Sequence, residues 1–127
     1  MYPSDYLYSR EHEWVRVQDN EAIVGITEFA QQELGEVVFV ELPEVGRVFE
    51  SGDAIGTIES VKAVAELYAP LAGKILAVND AAVDDPELLN DDPHGEGWLV
   101  KIQFDGGTPS GLMNAEQYEE FVKSGEA

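Results

Sequence analysis

A single lysine has the most distinctive chemical setting in this sequence. Lys62 lies in the segment Glu59-Ser60-Val61-Lys62-Ala63, among small and β-branched residues, and the 127-residue chain has only four lysines. The ε-amine of lysine sits on a flexible stem and forms a stable amide once it has lost its proton. The segment therefore predicts a lysine that is covalently modified. The alternative interpretation is a solvated lysine at the end of a hairpin.

The residues around Lys62 predict an extended segment that reverses at a turn. Gly52-Asp53 before it and Pro70 and Gly73 after it are typical of the ends of a hairpin. Strand geometry would place alternate side chains on opposite faces: Val61, Ala63, Ala65 and Leu67 on one, and Lys62, Val64, Glu66 and Tyr68 on the other. We expect the first face to be buried and Lys62 to point to solvent.

The rest of the chain predicts the elements that position this hairpin. Short apolar and β-branched runs occur at residues 14–17, 22–26, 37–42, 47–49, 54–58, 63–68, 74–78 and 98–104. Many short strands at close spacing are typical of a β-sandwich or barrel.

Capping residues add three short helices to the predicted strands. Thr27 is expected to cap a helix that runs through Leu34 and ends at Gly35, and residues 86–89 are expected to form a brief helical turn. Asn114, with Gln117 three residues later, predicts a capped C-terminal helix. Its inward-facing side chains would be Tyr118, Phe121 and Val122.

Composition limits the class of protein. A length of 127 residues fits one domain, and a net charge of −19 argues against nucleic-acid binding. No apolar run approaches the ~20 residues of a membrane helix. The N-terminal residues resemble neither a signal peptide nor a transit peptide, so we expect a cytoplasmic bacterial protein, with a processed mitochondrial form as the open alternative. Without cysteine, any sulfur chemistry must come from an added group.

The histidines and tryptophans are predicted to be structural. His12 and His94 lack the spacing of metal ligands, so we expect ordinary hydrogen bonds from both and no metal site. Trp14 and Trp98 are expected to pack at the edge of the core rather than against a cofactor.

Several motifs together resemble those of one protein family, the glycine cleavage H-proteins. In addition to the lysine segment, they are His12-Glu13-Trp14, Val24-Gly25-Ile26-Thr27 with Ala30-Gln31, Leu34-Gly35-Glu36-Val37-Val38-Phe39-Val40-Glu41-Leu42-Pro43, Tyr68-Ala69-Pro70 with Gly73, Pro86-Glu87-Leu88 with Asn90, Gly95-Glu96-Gly97-Trp98 and the region 115–122. These motifs occur in the family's order and span nearly the whole chain.

This resemblance implies a fold and a function. The fold would be mainly β, a barrel-sandwich hybrid of two small sheets with short helices and a C-terminal helix, in one lipoyl-carrier domain over residues 1–127 with family-specific N-terminal and C-terminal extensions. The protein would be a non-catalytic carrier with lipoate covalently attached to Lys62. It would take the aminomethyl group of glycine from the decarboxylating glycine dehydrogenase to the tetrahydrofolate-dependent aminomethyltransferase, and dihydrolipoyl dehydrogenase would reoxidise it. We expect a monomer that also meets lipoylating enzymes.

The resemblance also assigns roles to individual residues. Glu59, Ser60, Val61 and Ala63 would form the attachment motif. Small side chains at Ser60 and Ala63 would leave Lys62 accessible, and Glu59 would be either an orienting charge or one more surface acid. A serine at position 60, where other lipoyl carriers often have aspartate, favours the glycine cleavage type.

Two acids are predicted to receive the loaded arm. The aminomethylated end is expected to be cationic near neutral pH, so a protective site should offer a carboxylate beside an apolar wall. Glu66 would share the face of Lys62 at a Cα separation of roughly 13 Å, and Glu13 lies in the His12-Glu13-Trp14 motif. The alternative is that both are solvated surface acids.

Three other functions compete with this interpretation. A biotinyl domain has a similar architecture, but methionines flank its lysine where this chain has Val61 and Ala63. A lipoyl-relay protein would keep the same shape and donate its lipoyl group to other enzymes. An unmodified β-sandwich with an acidic surface would serve as an interaction module.

Overall fold

The computed structural model describes residues 2–105, 109 and 111–125. In chain order its elements are β1 (Leu7–Tyr8), β2 (Glu13–Gln18), β3 (Glu21–Ile26), α1 (Glu28–Leu34), β4 (Val37–Glu41), β5 (Val48–Phe49), β6 (Ala54–Ser60), β7 (Val64–Tyr68), β8 (Gly73–Val78), α2 (Asp80–Asp84), α3 (Leu88–Asp91), β9 (Val100–Gln103) and α4 (Ala115–Lys123). The predicted domain limits, 1–127, include residues 1, 106–108, 110 and 126–127, which lie outside the described residues.

The strands form two antiparallel sheets. The larger has six strands in the order β1-β2-β3-β9-β8-β5, and the smaller has three in the order β4-β6-β7. Side chains from both sheets, such as Val24 and Ile102 of the larger and Val40, Ile58 and Leu67 of the smaller, are buried in one apolar core. The prediction of a mainly β fold with two sheets, short helices and a C-terminal helix is therefore confirmed.

A second, aromatic cluster joins the two ends of the described chain. Tyr6, Tyr8 and Trp14 from the first strands pack with Ala115 and Tyr118 of α4. The rings of Tyr8 and Tyr118 stack with centroids 4.9 Å apart. The C-terminal helix is thus held against β1 and β2 rather than against the larger core.

The capping residues act as the sequence predicts. The Thr27 hydroxyl accepts a hydrogen bond from Ala30 N, and Gly35 ends α1 with a φ of +80°. The Asn114 side chain and Gln117 form a reciprocal capping box at the start of α4. Tyr118 is buried, and Phe121 and Val122 are half-buried against the aromatic cluster.

The structure differs from the predicted elements in three places. Residues 61–63 form a turn, so Val61 and Ala63 are exposed and inward alternation begins only at Ala65 and Leu67. The helical turn predicted at 86–89 begins two residues later, as α3. Neither the two-residue β1 nor the five-residue α2 is predicted, because both are too short to show periodicity.

No helix among the described residues has both the length and the apolar character needed to span a membrane.

Candidate functional site

The hairpin of Lys62 has an unusual turn. Residues 61–63 link β6 to β7, with Val61 and Lys62 at the centre of the turn, and Ser60 N donates to the Ala63 carbonyl (2.8 Å). Two-residue hairpin loops usually require positive φ angles, yet neither Val61 nor Lys62 has one. Instead, the Ser60 hydroxyl accepts from Lys62 N (3.3 Å) and Ala63 N (3.0 Å). Ser60 is itself buried, so it organises the turn more than it clears space around the lysine.

The segment that follows helix α1 supports this turn through a backbone hydrogen bond. Val61 N donates to the Glu36 carbonyl (3.0 Å). A Cβ atom placed on Gly35 would lie 3.5 Å from Lys62 Cε, so the lysine stem passes over the last turn of α1. The sequence predicts Gly35 only as a helix end, and the structure shows that it also lies next to the stem of Lys62.

Asn90 ties α1 to the small sheet beside the hairpin. Its side-chain amide donates to the Gly35 carbonyl (2.8 Å) and to Gln31 Oε1 (3.0 Å). Its Oδ1 accepts from Val37 N (2.9 Å), at the start of β4. One side chain thus fixes both segments that flank Glu36, whose carbonyl holds the turn.

A cleft of about 270 Å³ opens next to this support. Its apolar wall comes from β3, α1, β6 and β7 and consists of Ile26, Phe29, Ala30, Leu34, Ile58 and Ala65. Four acidic residues and one histidine complete the lining: Glu11, Glu13, Glu33, Glu66 and His12. Leu34, which lines the cleft, directly precedes Gly35, the residue next to the lysine stem. The structure brings the two acids predicted from sequence, Glu13 and Glu66, into one cleft.

Glu13 is a buried carboxyl group in the wall of this cleft. It is 2% exposed, and its Oε1 accepts from the Ser9 hydroxyl (2.6 Å) while its Oε2 accepts from Tyr68 N (3.1 Å). Burial disfavours the carboxylate and raises the pKa of Glu13 to about 7, against the opposing effect of those two hydrogen bonds. Glu13 can therefore gain or lose a proton near neutral pH. Glu66, by contrast, is exposed.

His12 lines the cleft in a strained backbone conformation. Its φ is +68°, an uncommon angle for a residue with a side chain. The ring packs on Phe29 with centroids 4.7 Å apart, and Nδ1 lies 2.7 Å from the Tyr118 hydroxyl. The same hydroxyl lies 2.8 Å from Thr27 Oγ1. Burial lowers the pKa of His12, which favours the neutral ring.

His94, Trp14 and Trp98 make packing contacts and hydrogen bonds away from the hairpin. His94 Nε2 accepts from Glu28 N (3.1 Å), and burial lowers its pKa. Trp14 is buried and donates to the Pro93 carbonyl (2.7 Å), and Trp98 is half-buried against the aromatic cluster. Within the described ranges, no group of three or more His, Cys, Asp or Glu side chains could hold a metal ion.

The remaining motif residues lie around the hairpin. Glu59 is half-buried in β6, opposite Phe39 on one side and Val64 on the other. Val61, Lys62 and Ala63 are exposed. Sequence reasoning misses Ser9 as a partner of Glu13, and it quotes Asn90 only as part of a motif.

Comparisons with known proteins agree with these features. Residues 6–125 match the family model described as Glycine cleavage H-protein. A glycine cleavage system H protein of Herpetosiphon aurantiacus is 59% identical over 120 residues, which cover 94% of this chain and 92% of that protein. One of Staphylococcus epidermidis is 50% identical over 121 residues, covering 94% and 96% respectively. The crystal structure of a glycine cleavage system H protein from Mycobacterium marinum is similar with a TM-score of 0.87, at 40% identity, covering 98% of this chain and 99% of that one.

Proposed function

Because this chain belongs to the glycine cleavage H-protein family and is a lipoyl carrier of the glycine cleavage system, we propose that Lys62 is the residue that carries its lipoyl group. The observation behind this proposal is the placement of Lys62: an exposed lysine in a two-residue turn, held by Ser60 and Glu36, beside an apolar cleft. A bound lipoyl group would supply a disulfide that is reduced to two thiols and oxidised again.

The chain's own residues have separate tasks in this proposal. Ser60 fixes the backbone of the turn so that Lys62 Nζ projects from the surface. Gly35, whose φ of +80° favours glycine, ends α1 next to the lysine stem. The protein would act without catalysing a step itself, as a single carrier domain over residues 1–127.

Partners follow from membership of the glycine cleavage system. They would be the decarboxylating glycine dehydrogenase, the aminomethyltransferase, dihydrolipoyl dehydrogenase and a lipoylating enzyme, each met transiently by a monomer. The bacterial origin of the relatives named above supports the expected location in the cytoplasm of a bacterium.

Replacement of Lys62 tests the attachment site. Lys62→Arg keeps the positive charge but supplies no amine that can be acylated, so we expect complete loss of lipoylation with an unchanged fold. Intact-mass spectrometry after incubation with lipoate, ATP and a lipoate–protein ligase measures this. Lys74→Arg, at another exposed lysine, is the matched control. Lipoylation of the Lys62→Arg protein would refute the assignment.

We further propose that the cleft receives the aminomethyl end of the arm. An aminomethyl amine is cationic near neutral pH, and Glu13 and Glu66 line the same apolar cleft, as does Leu34 at the end of α1. Glu13 could bind this cation as a carboxylate through the lone pairs not used by Ser9 and Tyr68. Apolar walls would limit attack by water.

Replacement of both acids tests the cleft. We expect Glu13→Gln/Glu66→Gln to fold and to be lipoylated, but to release ammonia and formaldehyde from the loaded arm at least about tenfold faster, as expected when a charge-assisted contact is lost. Glu50→Gln/Glu87→Gln removes two exposed acids that do not line this cleft and serves as the control. Release at the wild-type rate from the first double variant would show that the arm does not rest there.

A further inference from the structure

Exposed apolar side chains are concentrated around the attachment hairpin. Among the described residues, seven large hydrophobic side chains are strongly exposed. Four of them flank the hairpin, and we call them the hairpin apolar patch: Val38 (50%), Phe39 (48%), Val61 (71%) and Val64 (64%). Contiguous exposed apolar patches often mark sites where another molecule binds.

Strand register shows that Phe39 and Val64 lie on one exposed face of the small sheet, on either side of Glu59. Phe39 pairs with Glu59, and Glu59 pairs with Val64, so these three side chains form one row across β4, β6 and β7. Directly paired residues have Cβ atoms about 5 Å apart, so the row is roughly 10 Å wide. A register shift between Val37 and Phe39 leaves both Val38 and Phe39 exposed, as expected where a bulge redirects side chains. Val61 lies in the adjoining turn.

The position of the patch indicates which partner it meets. An enzyme that acylates Lys62 must bring its reacting carbon within bonding distance of Nζ, so it must contact the surface immediately around the lysine. The enzymes that act later need to reach only the distant end of the attached arm. The patch therefore lies where the acylating enzyme has to make contact and where the others need not.

Acidic side chains on the same face indicate which side chains a partner would present. Glu59 lies in the middle of the row, and the next row on this face is Glu41, Thr57 and Glu66. Arg47 is directed toward the opposite end of β6, where it donates to the Ala54 carbonyl (3.3 Å). An apolar surface bordered by basic side chains would complement this arrangement.

We propose that the hairpin apolar patch is the docking surface for the enzyme that acylates Lys62, and that this enzyme presents an apolar contact bordered by lysine or arginine. In that reaction an amide bond forms between Nζ and the acyl carbon of a lipoyl adenylate. The bond from that carbon to the phosphate oxygen breaks, AMP leaves with the bonding electrons, and the amine loses a proton. This inference rests on the assignment of Lys62 above.

Truncation of the patch tests the docking surface. Phe39→Ser/Val64→Ser should lower kcat/KM for lipoylation by a lipoate–protein ligase, with lipoate and ATP, about tenfold or more, mainly through KM. Val45→Ser/Val48→Ser removes two valines of similar exposure (62% and 71%) away from the hairpin and should lipoylate at the wild-type rate. Wild-type kinetics in the first variant, or an equal loss in both, would overturn the proposal.

Two further measurements show whether the loss is specific to docking of the acylating enzyme. Once fully lipoylated, the Phe39→Ser/Val64→Ser protein should be reduced by dihydrolipoyl dehydrogenase and NADH at the wild-type rate, and a matching loss there would overturn the assignment to the acylating enzyme. Glu41→Gln/Glu59→Gln should reduce the rise of KM with salt, and an unchanged salt dependence would overturn the charge argument. If wild-type protein is not lipoylated at Lys62, the proposed function itself fails.

Discussion

The hairpin of Lys62 and the cleft beside it are stabilised in different ways. At the hairpin, Val61, Lys62 and Ala63 are exposed, and the turn depends on hydrogen bonds from the backbone to Ser60 and Glu36. At the cleft, the carboxyl group of Glu13 is 2% exposed and is bonded to Ser9 and Tyr68. The hairpin exposes the Lys62 amine to solvent, whereas the wall of the cleft buries the Glu13 carboxyl group.

Because of this difference, we expect substitutions in the two regions to affect different properties of the protein. Exposed side chains contribute little to the free energy of unfolding, so substitutions at the hairpin should change modification more than folding. A buried carboxyl group costs free energy when it ionises, so substitutions at Glu13 should change folding and its pH dependence. Variants of the two regions therefore test the comparison directly.

The largest expected effect is at Glu13. Its folded pKa of about 7 lies above the ordinary value of 4.5, so the folded protein binds more protons than the unfolded chain between these values, and stability falls as pH rises through that range. We expect Glu13→Gln to remove this loss, on the order of 3 kcal/mol. Urea unfolding at pH 4.5, 6 and 8 measures it. Glu66→Gln controls for loss of an acid from the same cleft, and equal pH slopes in both variants would exclude burial of Glu13 as the cause.

An intermediate effect is expected at Asn90, whose side chain links the end of α1 to the start of β4. Asn90→Ala leaves Val37 N and the Gly35 carbonyl without their side-chain partner, so the free energy of unfolding should fall by about 2 kcal/mol. Asn90→Asp retains an acceptor for Val37 N but places a carboxylate oxygen against the Gly35 carbonyl and Gln31 Oε1, so its loss should be at least as large. Chemical denaturation gives both values. An Asn90→Ala protein as stable as the wild type would show that these hydrogen bonds contribute nothing.

The smallest change in stability is expected at Ser60. Ser60→Ala removes the acceptor for Lys62 N and Ala63 N and should cost about 1 kcal/mol, whereas Ser60→Thr retains the hydroxyl. Because the turn then holds Lys62 less firmly, lipoylation of Ser60→Ala should slow although the amine is intact. Denaturation and intact-mass time courses measure the two effects. Normal lipoylation kinetics would mean that the geometry of the turn does not matter for modification.

Sequence reasoning succeeds where the signal is local. The caps at Thr27 and Asn114 depend on residues three positions apart, and the strands show their own two-residue period. The face assigned to Val61 and Ala63 is wrong because a turn of two residues interrupts that period. A pattern cannot show where a strand ends to within one residue.

The site itself depends on contacts that the sequence does not encode locally. Glu13 meets Tyr68 across 55 positions, and Asn90 meets Val37 across 53. The family motif predicts Glu13 and strand alternation predicts Glu66, and the structure adds that the first is buried and the second exposed. Burial sets the pKa of Glu13, so its chemistry could be inferred only from the folded chain.

The hydroxyl of Tyr118 makes the wall of the cleft depend on the C-terminal helix. It meets His12 and Thr27 across 106 and 91 positions of the chain. The larger core draws its buried residues from positions 15–102 and includes none from α4. His12, in the wall of the cleft, has a hydrogen-bond partner on α4. Separation of α4 from the sheet would therefore remove a partner from the cleft wall while leaving the hairpin and its lysine in place, because parts of a fold can open separately.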